Sequence, residues 1–378
     1  MKSRVAGFIM SIVIILIICA LILLGMIFYQ EISGVETATE PENFIGNYTS
    51  NENTVDTETI TTPQVVENNP LNDLQSGSNN NTNVDYSSVT VDKYFYNQLE
   101  EPSKTIYKAL ESNKENMKSG TYRIELGNSF SDILNTTNGQ DELGDYYQSA
   151  IEAYTYDNPD IFYLSPNKMY LNIETITSSS GVSYNVYINN GNENNYFTDE
   201  FSSQAQVESA ISQVEQVKNS IVSRRSGNTY EDIKMVHDYL VDSMEYDTTI
   251  SRNNIYDVYG ALVNKVAVCE GYARSFKYIL DEMGIPCVLV IGTGTNSRGE
   301  TERHAWNYVQ LQGTWYAVDS TWDDPVVVGG GTVSQSSKYK YFLKGSSEFY
   351  ADHTPSGQFT PGGKEFTYPS LSSSSFSN

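Results

Sequence analysis

Two runs rich in aromatic and β-branched residues, His304 to Leu311 and Thr314 to Asp319, flank the pair Gln312-Gly313. This is the pattern of a two-residue β-hairpin loop with glycine in the left-handed position. Such a loop leaves the register no freedom: Leu311 pairs with Thr314 and every later pair follows. Trp306 then faces Asp319 and His304 faces Thr321. His304 and Asp319 become diagonal neighbours on one face of the ribbon, within reach of a hydrogen bond. A carboxylate beside an imidazole fixes its tautomer and steadies the imidazolium. Trp306 shares that face, either as a shield for the bond or as an ordinary core aromatic, and this face is expected to turn toward a nucleophile.

The candidate nucleophile lies upstream. In Cys269-Glu270-Gly271-Tyr272-Ala273 an extended segment ends and a helix begins, with Ala273, Phe276, Leu280 and Met283 spaced three and four apart behind the cysteine. At a helix N-terminus the unpaired N–H groups and the positive end of the helix dipole favour thiolate over thiol. Nucleophile, base and orienting acid therefore occur in the order Cys269, His304, Asp319. Two other histidines compete for the role of base. His237 falls on a helix with no orienting carboxylate placed for it, and His353 lies in the turn-rich segment Tyr350 to Thr354. Both read as structural. Asp323-Asp324 ends a strand or caps a turn, since two adjacent carboxylates are too few oxygens for calcium.

Together, Cys269 to Ala273, His304-Ala305-Trp306-Asn307 and Val318 to Asp324 resemble the three signature blocks of the bacterial transglutaminase-like superfamily. The likeness is strong from Tyr230 to Pro325 and looser from Lys93. It implies an α+β fold with a papain-like core, a cysteine-bearing helix packed on an antiparallel sheet. It also implies a Cys-His-Asp enzyme that forms a thioester with a peptide or carboxamide carbonyl. Water then makes it a cysteine protease or deamidase, and an amine makes it a transglutaminase. Glu270 departs from the aromatic residue that follows the cysteine in animal transglutaminases, so a preference for glutamine side chains does not carry over. From another class, the chain reads as a non-catalytic surface binding or scaffold module that keeps the fold.

With 23 basic against 47 acidic residues and a net charge of −24, nucleic acid is excluded as a partner. No phosphate-binding glycine motif calls for a nucleotide cofactor, and no Cys/His cluster calls for zinc. Lys2 and Arg4 precede an apolar run from Val5 to Tyr29, long enough to cross a bilayer and longer than a signal-peptide core. The charge distribution puts the N-terminus in the cytoplasm and the rest outside. The expected organisation is an anchor over 1–32, a disordered acidic tether over 33–90, an α+β extension over 91–202, a catalytic domain over 203–369 and a disordered tail over 370–378. The expected partners are the lipid bilayer and a protein or peptide substrate at the cell surface. Cys287, in the apolar run Gly284 to Ile291, reads as a buried inert thiol.

Overall fold

A computed structural model describes residues 84–377 apart from 180, 325–336 and 361–362. The expected membrane anchor and most of the expected tether lie outside the described residues. No helix among the described residues is long and apolar enough to cross a membrane.

The N-terminal part pairs two helices with a small sheet. Helix α1 (Glu101–Ser112) carries proline in its first turn, where the missing N–H costs nothing. Helix α2 (Gly139–Asp157) ends where Asn158-Pro159 stops it. Strands β1 (Ile124–Gly127), β2 (Tyr170–Ser178) and β3 (Gly181–Asn189) form an antiparallel sheet in the order β1-β3-β2. Two amphipathic helices follow, α3 (Gln204–Val222) and α4 (Thr229–Ser243). Each is capped as its sequence invites: the Ser203 hydroxyl accepts from Gln206 N, and Asn228 Oδ1 accepts from Tyr230 N and Glu231 N.

Helix α5 (Cys269–Glu282) packs on a four-stranded antiparallel sheet made of β4 (Cys287–Thr295), β5 (Thr301–Leu311), β6 (Thr314–Val318) and β7 (His353–Pro355), in the order β6-β5-β4-β7. Leu311 pairs with Thr314, and the ladder runs to Asn307 opposite Val318, as the two-residue loop dictates. Both loop residues have positive φ, Gln312 at 53° and Gly313 at 77°, which makes the turn type I′. One apolar core runs from Phe95 and Tyr107 through α2 to Phe276, Leu289 and Val309, so the extension and the sheet share an interior.

Two boundaries differ from the sequence reading. Order begins before residue 91, because the Tyr86 hydroxyl donates to Glu125 O at 2.7 Å. The tail expected to fray is held instead. Ser372 N donates to Trp315 O at 2.9 Å and Phe376 N to Leu343 O at 3.0 Å, while the Phe376 ring lies 5.5 Å from that of Tyr230. Backbone hydrogen bonds need no side-chain signature, which is why a serine-rich stretch concealed them.

Candidate active site

Cys269 is the first residue of α5 and only 4% exposed. Its position is fixed from both sides. Val268 N donates to Ile255 O at 2.9 Å just before the helix. A Cβ at Gly271 would lie 2.6 Å from Ile255 O and 2.7 Å from the Ala267 Cβ, so only glycine lets the first turn settle this deep. Glu270 forms a buried ion pair with Arg274, whose Nη1 donates to Thr155 O at 2.8 Å. The first turn of α5 is thereby tied to α2. Cys287 stands inside β4, where burial pushes its thiol well above the usual range, and it forms no disulfide with Cys269.

His304 and Asp319 meet as the register requires: Nε2 lies 2.7 Å from Asp319 Oδ2, with both side chains buried. Asp319 stands just past the end of β6. Its other oxygen, Oδ1, accepts from Thr321 N at 2.9 Å and Trp322 N at 3.1 Å. Burial works to raise the pKa of Asp319. The charge and hydrogen bond of His304, joined by a hydrogen bond from His353, outweigh it and hold the carboxyl well below the usual range. The Trp322 ring stacks on His304 at 4.9 Å, and β4 makes room for it at Gly294, where a Cβ would strike the indole at 2.7 Å.

Alternation along β5 places His304, Trp306 and Tyr308 on one face and Ala305, Asn307 and Val309 on the other. Asn307 Nδ2 donates to Ala273 O at 2.9 Å, so the body of α5 packs on the Asn307 face. The body of α5 therefore does not cover the His304–Trp306 face. That face is covered by Tyr341, Phe349 and His353, and Trp306 is a core aromatic 5.7 Å from Phe349. His304 itself stands where β5 passes from exposed to buried, and Cys269 stands at the very end of its helix. Both groups belong to the ends of their elements.

The two remaining histidines of the chain are less incidental than their sequence contexts imply. His353, read as structural, sits on edge strand β7 with Nε2 3.1 Å from Asp319 Oδ2 and Nδ1 2.7 Å from Asp352 Oδ1. His237, read as lacking a carboxylate, has two: Asp323 Oδ2 at 3.1 Å from Nε2 and Asp238 Oδ1 at 3.2 Å from Nδ1. Burial opposes the charged ring of His237, and the two carboxylates outweigh it and raise its pKa. Asp352 and Asp238 are sequence neighbours of their histidines, whereas Asp319 and Asp323 lie 34 and 86 residues away, where nothing local marks them. Asp323 also accepts from Tyr341 N at 2.8 Å, and Asp324 accepts from the Tyr272 hydroxyl at 2.5 Å. The acidic pair thus clamps the turn after Asp319.

Among the described residues, His304, Asp319 and His353 offer ligand atoms within 4.8 Å of one another, close enough for a metal ion. The hydrogen bonds already account for this grouping: Asp319 Oδ2 is the shared acceptor of both rings.

Residues 215–320 match the model of the transglutaminase-like superfamily, so the chain carries a transglutaminase-like domain. The kyphoscoliosis peptidase of Mus musculus is 30% identical over 158 residues, which is 36% of this chain and 23% of that protein. This chain therefore spans about a quarter of the length of that relative. Among solved structures, a TGase overlaps 46% of this chain and 50% of its own at 13% identity and a TM-score of 0.28. A protein described as a putative cysteine protease, from Cytophaga hutchinsonii, overlaps 42% of this chain and 68% of its own at 12% identity and a TM-score of 0.24. Overlap at that level says nothing about chemistry.

Proposed function

We propose that the chain is a thiol-dependent acyl-transfer enzyme with Cys269 as nucleophile, His304 as base and Asp319 as orienting acid, acting on peptide or carboxamide bonds. The observation that carries this reading is the buried 2.7 Å bond between His304 and Asp319. That bond fixes Nε2 as the donor to the carboxylate and leaves Nδ1 to serve the thiol. The Cys269 thiolate adds to the carbonyl carbon, forming the C–S bond. The C–N bond then breaks, and the proton held by His304 passes to the departing amine or ammonia. Water or a second amine attacks the thioester, returns a proton through His304 and frees the thiolate. The transglutaminase-like segment supports acyl transfer in general, and the peptidase name of the mouse relative favours water as the acceptor.

The reactivity of the two thiols tests the assignment. With iodoacetamide at pH 6, Cys269 is expected to be labelled far faster than Cys287, because a helix N-terminus and an imidazole favour its thiolate while burial suppresses the other. Mass spectrometry locates the label. Equal labelling of the two in folded protein would remove Cys269 as the nucleophile and favour the non-catalytic binding module.

The same reading places the enzyme outside the cell on a single N-terminal span, from the apolar run that follows Lys2 and Arg4. Protease added to intact cells is then expected to release a soluble fragment by cutting within the acidic segment read from the sequence as a tether, 33–90, while the packed region beyond resists. Protection until the membrane is permeabilised would reverse the orientation.

A further inference from the structure

We propose that His353 is a positioning residue for the catalytic pair, holding the second lone pair of Asp319 Oδ2 so that the carboxylate keeps its aim at His304. This inference rests on the triad reading above. Asp319 receives four hydrogen bonds: Oδ1 from Thr321 N and Trp322 N, and Oδ2 from His304 Nε2 and His353 Nε2. A carboxylate has about four lone-pair sites. All four are occupied, and the group has no freedom to rotate. The backbone donors fix the end that faces the turn, and His353 fixes the end that faces the base.

His353 is itself held. Asp352 Oδ1 lies 2.7 Å from Nδ1, and the other oxygen of Asp352 accepts from the Tyr341 hydroxyl at 2.8 Å. The ring is therefore oriented with Nε2 toward Asp319. A run of carboxylates and imidazoles extends from the site in the order His304, Asp319, His353, Asp352, and Tyr341 anchors its far end.

The surroundings argue against a packing role alone. The His353 ring stacks on Phe349 at 4.0 Å and lies 4.5 Å from Trp322, 5.1 Å from Trp306 and 5.2 Å from Tyr341. The side chain is fully buried within this aromatic cage. A phenyl ring would fill such a space without the desolvation cost of an imidazole, a cost that the bonds to Asp319 and Asp352 offset. Strand β7 serves this end, since its pairing of Gly294 with His353 brings the ring to the catalytic edge of β4.

The test compares the iodoacetamide alkylation rate of Cys269 at pH 6 in wild type, Asp319→Asn, His353→Phe and His353→Gln, with a thermal melt for each. Phenylalanine keeps the packing and removes the donor, whereas glutamine returns a neutral N–H donor. Expected are a slowing of roughly 10- to 100-fold for His353→Phe, taken by analogy from the loss of a partner that orients a metal-ligating histidine, and recovery to within a few-fold for His353→Gln. Wild-type rates in His353→Phe would overturn the inference, and so would equal slowing in both variants in step with their melting temperatures. If His353→Phe does not fold, Asp352→Asn takes its place: it leaves the ring and cage intact, and an unchanged rate in it counts against the proposal. Failure of the triad reading is distinct, because Cys269 would then show no selective labelling in wild type.

Discussion

Asp319→Asn is expected to lower turnover by roughly 10³- to 10⁴-fold while the protein still folds, as happens when the acid of a catalytic triad becomes an amide. The argument follows from the four donors that converge on this carboxylate. An amide offers one oxygen and one NH₂, so it serves only two of the four. The N–H groups of Thr321 and Trp322 are backbone donors and cannot become acceptors, so the amide oxygen stays with them. The NH₂ then faces the two imidazoles, and each must offer Nε2 as a lone pair. His304 thereby moves its proton to Nδ1, the nitrogen that accepts the thiol proton in the proposed triad, and under that proposal general-base catalysis is lost without loss of the fold. His353 can make the same change, since Asp352 Oδ1 stands beside Nδ1 to accept from a proton placed there. The stability penalty should stay near the cost of one weakened buried hydrogen-bond set, about 1–3 kcal/mol. Turnover measured on a peptide amide, with circular dichroism to verify folding, checks the result. Activity within tenfold of wild type would take Asp319 out of the mechanism.

The parts of this site that were legible in the sequence are those fixed by local rules. A two-residue loop sets register, and register carries the chain to within one residue of Asp319, which meets His304 across 15 residues. A switch from extended to helical spacing placed Cys269 at a helix start. The second layer obeys no such rule. His353 reaches Asp319 only because a three-residue strand pairs with β4 at the far edge of the sheet, and three residues are too few for an alternation to show. His237 meets Asp323 through packing of α4 against the turn after β6, a contact between elements far apart in sequence. The face on which α5 packs escaped as well. Alternation identifies which residues share a face, and only tertiary contacts, such as Asn307 to Ala273 O, say what covers each one.

Stability is expected to fall as pH rises from 5 to 8, with Glu152 as a principal cause. This residue of α2 is fully buried, and burial pushes its pKa up to about 7 against the hydrogen bonds from Gln148 and Thr360 that lower it. Oε1 accepts from Gln148 Nε2 at 2.9 Å and from the Thr360 hydroxyl, while among the described residues Oε2 has no partner. A folded-state pKa above the unfolded value means that the folded protein binds the proton more tightly. The stabilisation is therefore complete below about 4.5 and is lost as pH climbs through about 7. A shift of this size corresponds to about 3 kcal/mol, and at roughly 2–4 °C per kcal/mol the melting temperature should drop by several degrees. Asp257, pushed by burial up to about 7, and Asp157, pushed by burial up to about 6, act with the same sign. Glu152→Gln keeps an oxygen for Thr360 and never ionises, so its melting curve against pH should be flatter and should lie above wild type at pH 8. Parallel curves for the two proteins would exclude Glu152 as the cause. The consequence reaches the Cys269 helix, because Thr155, one turn further along α2, accepts the bond from Arg274 that secures the first turn of α5.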